Sequence, residues 1–285
     1  MELVIGTATF GTDYGIANKG QVQNDSKALQ ILSEAKHLGI ANLDTSPAYS
    51  NAEEIIGKFH LPDKKFHCYS KISLNTLNSS KEVLASLDKS LKIMGIDSLK
   101  GLSFHNSSEL LATPPAQIET LIDAIQETRK VEKIGASVYE LSELQAIHER
   151  HPRISLFQVP ESIADQRLRN STHIQSLYES GIEFHVRSIF LQGLLLMRKC
   201  PANLSSAQPF LDKLNAAADS MECSPLALCV NYAKQLGWAT KLVVGISESN
   251  QIREILAAQQ LANMNLEFDE LLPDYILDPR KWING

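Results

Sequence analysis

The 285-residue chain predicts an α/β protein of the (β/α)8 or TIM-barrel class, and three observations carry that expectation. Short apolar runs alternate with amphipathic stretches, the alternation completes eight units, and polar residues with chemical reach recur where the apolar runs stop. The length suits one such barrel, so a single domain over 1–285 is expected. An open doubly wound sheet is the alternative. It seldom needs eight such units, and it would want a Gly-x-Gly-x-x-Gly turn after the first strand, which Gly6 to Gly11 does not supply.

Leu3-Val4-Ile5-Gly6 reads as the first strand, and Thr7 to Gly20 as a loop rich in Gly and Thr. Asp25 is expected to cap a helix in which Ala28, Leu29, Leu32, Ala35 and Leu38 recur at helical spacing until Gly39 stops it. Ile40 to Leu43 form a second strand. Thr45-Ser46-Pro47 break that run, which leaves Asp44 at the strand's carboxyl end with Tyr49 just beyond. Asn51 opens a helix carrying Ile55, Ile56 and Gly57. His67 to Ile72 is the third strand, with Lys71 at its end, and Lys81 to Met94 is an amphipathic helix through Val83, Leu84, Leu87 and Leu91. Leu99 to Phe104 is a fourth strand that runs into His105. Pro115 to Lys130 is helical, Ile134 to Ser137 a strand, Leu141 to Arg150 a helix, and Ile154 to Val159 a strand with Gln158 at its end. His173 to Ser180 is a helix stopped by Gly181, and Ile182 to Ile189 is the seventh strand. Pro209 to Met221 and Pro225 to Gly237 are consecutive helices before the eighth strand, Leu242 to Gly245. Ser249 or Asn250 then caps the helix Gln251 to Leu261.

The composition narrows the function classes. A net charge of −6 with pI near 5.8 and no basic cluster argues against a nucleic-acid or anionic-membrane surface, so small solutes are the expected partners. Cys68, Cys200, Cys223 and Cys229 lack metal-ligand spacing and follow no apolar leader, which reads as reduced thiols in cytoplasm without a metal site. The longest apolar run, Ile189 to Met197, is broken by Gln192 and Gly193 and is too short to span a membrane.

Chemistry is expected where Asp44, Tyr49, Lys71 and His105 fall on neighbouring strand ends, because in a barrel those ends converge on one mouth. A carbonyl that receives hydride becomes an alkoxide needing a proton. Tyr49 could donate it if the charge of Lys71 raised its acidity, Asp44 would keep the lysine charged and oriented, and His105 would hydrogen-bond the carbonyl oxygen. The plain alternative is an internal Lys–Asp ion pair beside a core histidine and a packing tyrosine. The set Asp-(x)4-Tyr, then Lys, then His resembles the aldo-keto reductase superfamily, and the similarity extends from Gly6-Thr7 to Gly245 and Glu254. The tail Asp278-Pro279-Arg280-Lys281-Trp282-Ile283 is similar to the short-looped bacterial members.

What the resemblance implies is hydride transfer between NADP(H) and an aldehyde or ketone. Ser137 and Gln158 fall where the family contacts the nicotinamide carboxamide, but the asparagine expected after the serine is Val138. Arg187-Ser188, then Gln192-Gly193, resemble the loop that covers the pyrophosphate, although Arg187 stands where a ring usually stacks on the nicotinamide. Its guanidinium would act on that ring, pair with an acid such as Glu161, or grip an anionic group on the substrate. Gly245, Ser247, Gln251 and Glu254 resemble the adenosine segment. There Glu248 is acidic and Gln251 occupies a position often held by arginine, so NAD is possible beside NADP. Two other readings stand beside the reductase: a catalytically silent nucleotide-binding regulatory barrel, and a Schiff-base lyase using Lys71. Loops at Asn106 to Pro115, Met197 to Pro209 and Phe268 to Trp282 are expected to shape the mouth.

Overall fold

The computed structural model describes residues 1–11, 15–16, 24–60, 66–75, 79–265, 268 and 271–282. Parts of the expected Thr7 to Gly20 loop, and Ile283 of the tail motif, lie outside the described residues. Eight parallel strands close into a barrel in sequence order: β1 (Glu2–Gly6), β2 (Asn42–Asp44), β3 (His67–Ile72), β4 (Gly101–Phe104), β5 (Ile134–Ser137), β6 (Leu156–Pro160), β7 (Glu183–Arg187) and β8 (Lys241–Gly245), which pairs back to β1. The predicted (β/α)8 TIM-barrel class is the observed one, and the open sheet is not formed.

Helices α1 (Asp25–His37), α2 (Ala52–Phe59) and α3 (Ser80–Met94) follow the first three strands. After β4 come α4 (Ser107–Ala112) and α5 (Pro115–Glu127), and after β5 and β6 come α6 (Leu141–Arg150) and α7 (Thr172–Glu179). Between β7 and β8 lie α8 (Gln208–Ser220) and α9 (Pro225–Lys234); α10 (Asn250–Gln260) and α11 (Asp274–Leu277) complete the chain. Most long helices bury one stripe against the strands, whereas α9 is buried all round from Leu226 to Ala233. On α3 the stripe is Val83, Leu87, Leu91 and Met94, and each such side chain taken from water contributes about 1.5–3 kcal/mol. Gly57 lets α2 approach α3 closely, since a Cβ there would lie 2.0 Å from the Ile93 carbonyl oxygen.

Several boundaries move for local reasons. Asn24, not Asp25, caps α1, its side chain accepting from the Lys27 amide at 2.9 Å. Neither Ser249 nor Asn250 caps α10 through its side chain; Gln251 Oε1 instead accepts from the Ser247 and Glu248 amides at 2.8 and 3.1 Å. The second strand keeps only Asn42 and Leu43 of the expected run and extends to Asp44, and the seventh stops at Arg187 because Ser188 turns to φ 64°. Leu99 contributes a lone bridge to Val131, so β4 begins at Gly101. All three expected mouth loops carry short helices: α4, the 3-10 turn Ala202–Ala207, and, in the described part of Phe268 to Trp282, α11 and the 3-10 turn Pro279–Lys281.

Along β7, alternate residues Glu183, His185 and Arg187 face the barrel interior while Phe184 and Val186 pack outward. Near the amino-terminal end of the barrel, Glu183 meets Lys133, His185 (2.6 Å) and Lys241 (3.3 Å), and Lys241 also meets Glu2 at 3.1 Å. No helix among the described residues is long and apolar enough to cross a membrane.

Candidate active site

The parallel register gathers the predicted residues at the carboxyl ends of the strands. Asp44 is in register with Gly6 and Tyr69, Lys71 with Ser103, Ser137 with Gln158, and Gly6 with Gly245. The His105 amide donates to the Ile72 carbonyl at 2.7 Å, which seats the imidazole one residue past the strand beside Lys71. A turn closed by Tyr49 N donating to the Ser46 carbonyl carries Tyr49 back over the barrel end, and Ser50 follows with φ 46°.

Asp44 and Lys71 are 5% and 2% exposed. Lys71 Nζ donates to Asp44 Oδ1 at 2.5 Å and to the Thr45 carbonyl at 3.2 Å, and Gln158 Nε2 donates to Asp44 Oδ2 at 2.9 Å. Both carboxylate oxygens are therefore used, as an ion buried at a cost of several kcal/mol requires. Burial pushes the Lys71 ammonium down, but the charge of Asp44 and the neighbouring Tyr49 outweigh it and hold the amine above the usual lysine value. The ammonium lies 5.1 Å from the centroid of the Tyr49 ring, and the His105 ring meets Tyr49 edge-on at 6.1 Å. Burial, then the positive charge of Lys71, hold His105 below the ordinary histidine range, so its imidazole is neutral near pH 7.

Two cavities meet at Tyr49, Gln158 and Arg187. The first is a cleft running from Asp44 past the segment after β7 to Gly245, Ser247 and Gln251, over an apolar floor of Val243, Val244 and Ile255. Its wall is backbone held in an uncommon conformation: Ser188, Leu191 and Gln192 have φ of 64°, 45° and 53°, and Gly193 has 92°. Non-glycine residues there carry strain of order 1–3 kcal/mol each, which clusters at ligand-binding segments. The cleft lining among the described residues holds one carboxylate, Asp44, already neutralised by Lys71. A phosphate-bearing dinucleotide fits such a lining, with the start of α10 at its far end.

The second cavity, of about 340 Å³, is a chamber walled by Lys71, His105, Ser137, Tyr139, Glu109 and Arg280 as well as the shared residues. Of the predicted cofactor residues, Ser188, Gln192, Gly193, Gly245, Ser247 and Gln251 line the cleft. Ser137 faces the chamber, Gln158 and Arg187 face both cavities, and Glu254 stands on the exposed side of α10, accepting from Asn250 at 3.1 Å outside the cleft lining. Arg187 does not pair with Glu161, which instead takes the Tyr232 hydroxyl at 2.5 Å and the Leu168 amide at 3.0 Å. Arg187 Nη2 donates to the Val138 carbonyl at 3.1 Å and Nη1 to Ser188 Oγ at 3.2 Å, and its guanidinium lies 4.2 Å from the Tyr139 ring centroid. Tyr139 and Arg280 were not among the expected site residues. Tyr139 follows β5 by two positions and was within reach of the strand-end argument, whereas Arg280 comes from the tail and carries no local signal.

The carboxyl ends of a closed (β/α)8 barrel thus carry a buried Lys–Asp pair beneath a tyrosine, beside a cleft whose lining suits a dinucleotide. The Aldo/keto reductase family model matches residues 2–270. The chain belongs to that family, whose members are oxidoreductases of small carbonyl compounds. A search of curated proteins gives no match. Among solved structures the fold is similar to a thermostable aldo-keto reductase crystallised with the inhibitor epalrestat, at 17% identity and TM-score 0.71 over 92% of this chain and 91% of that one. It is also similar to a Pseudomonas aeruginosa protein described as an aldo-keto reductase, at 19% identity and TM-score 0.66 over 90% and 88%.

Proposed function

We propose that the chain reduces an aldehyde or ketone with hydride from NADPH, and that Tyr49 is the general acid. The observation that carries this reading is the Asp44–Lys71 pair set beneath the Tyr49 ring where cleft and chamber meet. When bound, NADPH supplies the hydride. Tyr49 gives its hydroxyl proton to the carbonyl oxygen as negative charge builds there, and Lys71 stabilises the phenolate that remains. Asp44 keeps Lys71 charged in a site where burial alone would neutralise it. Neutral His105 orients the carbonyl oxygen through a ring N–H. Gln158 is tethered by Asp44 through Nε2, which leaves Oε1 free to accept from a carboxamide; Ser137 can donate to its oxygen.

The Schiff-base lyase reading is disfavoured, since a nucleophilic lysine must be neutral and Lys71 is held protonated by Asp44. A silent regulatory barrel would have no reason to retain the buried pair with the tyrosine above it. One catalytic domain over 1–285, small-molecule partners rather than nucleic acid or membrane, and a cytoplasmic location complete the reading. The acidic charge and the free cysteines Cys68, Cys200, Cys223 and Cys229 support the last two. Loss of NADPH absorbance on adding simple aldehydes tests the activity, and a protein that binds NADPH yet reduces none of them would overturn it.

A further inference from the structure

We infer that the chamber selects carbonyl compounds that carry a carboxylate, with Arg187 as the anion's main contact and Arg280 as a second one at the rim; the inference rests on the reductase reading above. Its basis is which charges on the chamber wall already have a partner of opposite charge. The Lys71 ammonium is committed to Asp44. Glu109 is committed as well: Oε2 accepts from Ser73 Oγ (2.9 Å) and from the Leu74 and Asn75 amides (2.8 and 3.1 Å), and Oε1 from Asn75 Nδ2 (2.8 Å). Its donors are all neutral, so Glu109 keeps its negative charge, but both oxygens are turned onto the loop after β3 and, among the described residues, neither pairs with Arg187 or Arg280. Arg280 is gripped by Asp278 through two hydrogen bonds of 2.8 and 2.9 Å, yet remains half-exposed at the mouth.

Arg187 is different. Among the described residues it has no carboxylate partner, and its two hydrogen bonds go to a neutral carbonyl and a hydroxyl. A half-buried guanidinium with no counter-ion is costly unless something else supplies the charge. The Arg187 and Arg280 guanidiniums lie 4.2 and 3.4 Å from the centroid of the same Tyr139 ring, so one aromatic ring holds both cations. The N–H donors of a guanidinium lie in its plane and form a fork that matches a planar, two-oxygen acceptor. Two of the five donors of Arg187 are spent and the rest remain for a ligand. Because Arg187 shares the chamber wall with Tyr49 and neutral His105, a carboxylate on the guanidinium leaves the rest of a small molecule to reach the reacting end.

The test compares two aldehydes of equal shape, 4-carboxybenzaldehyde and 4-formylbenzamide, with NADPH saturating. The wild-type protein is expected to favour the carboxylate by roughly tenfold or more in kcat/KM, the worth of one charge-assisted pair, mostly through KM, and to lose that margin as salt rises. Arg187→Met should bring the ratio close to one, and Arg280→Met should lower it less, because Arg280 is more exposed and already paired. Equal rates for the two aldehydes in the wild type would overturn the inference and leave the reductase reading standing. So would an Arg187→Met variant that loses both aldehydes equally while its NADPH affinity, followed by fluorescence, falls; that pattern assigns the arginine to the cofactor alone. No turnover of either aldehyde overturns the reductase reading and this inference together.

Discussion

The carbonyl of Val138 accepts a hydrogen bond from Arg187 Nη2 at 3.1 Å. Both positions depart from the residues expected from the resemblance, Arg187 most clearly, and the structure joins them: the buried valine contributes only its backbone, and that backbone anchors the guanidinium. The nicotinamide is cationic when oxidised and neutral when reduced, so a positive charge near it disfavours the oxidised form. At about 5 Å and an effective dielectric near 20 Coulomb's law gives roughly 3 kcal/mol, which solvent at an open mouth reduces to about 1 or less. Arg187→Tyr is therefore expected to narrow the NADPH to NADP⁺ affinity ratio by a few-fold, read by fluorescence titration of both forms. An unchanged ratio would mean that the arginine does not act on the nicotinamide.

Tyr49→Phe keeps the ring over Lys71 and removes the proton donor. Turnover should fall by the roughly 10²- to 10⁴-fold assigned to a positioned general acid, with NADPH affinity almost unchanged. Lys71→Met works through the same step, so the double variant should lose far less than the product of the two single losses. Near-normal carbonyl reduction by Tyr49→Phe would remove the tyrosine from the mechanism.

Cofactor choice is expected to turn on Lys27. Its ammonium pairs with the carboxylate of Glu248, beside the turn whose amides Gln251 holds. With Glu248 neutralised, NADPH should be preferred over NADH by a modest margin, because neutral donors stand where a charge-assisted contact would be about twice as strong. Lys27→Met uncovers the Glu248 charge and should move the kcat/KM ratio toward NADH, while Glu248→Gln moves it toward NADPH. A wild-type preference for NADH would refute this account.

Glu161 sets an expected pH dependence of stability. It is 1% exposed, and burial pushes its carboxyl from 4.5 up to about 8. As pH rises through 4.5 the unfolded chain ionises this group and the folded protein does not, so its contribution is present in full below that value and declines until about pH 8. Within that window the loss is about 1.4 kcal/mol per pH unit. Denaturant unfolding at pH 6 and pH 8 should show a shallower decline for Glu161→Gln than for the wild type; equal declines would mean that Glu161 is ionised in the folded protein across that range.

The alternation of apolar runs with amphipathic helices, read along the chain, determines the barrel, its strand order and the helix stripes, because side-chain periodicity is a local property that burial then enforces. The same local logic puts Asp44, Lys71 and His105 at strand ends, since a polar residue or a Ser-Pro break after an apolar run is visible within a few positions. Boundaries were less legible. The Asn24 cap, the helix α4 hidden in a mouth loop and the end of β7 at Ser188 each depend on which side chain reaches a free amide, or on one left-handed residue.

Tertiary structure alone decided the partners. Gln158 finds Asp44 across 114 positions of sequence, Lys27 finds Glu248 across 221, and Arg187 and Arg280 meet on Tyr139 although one comes from a strand and the other from the tail. Nothing in the sequence near Arg187 distinguishes an arginine paired with Glu161 from one left without a counter-ion. That difference is set by barrel closure, which brings the ends of β5 and β7 and the tail to one mouth, and by the short reach of hydrogen bonds, which lets a side chain choose only among groups the fold has already placed within about 3 Å.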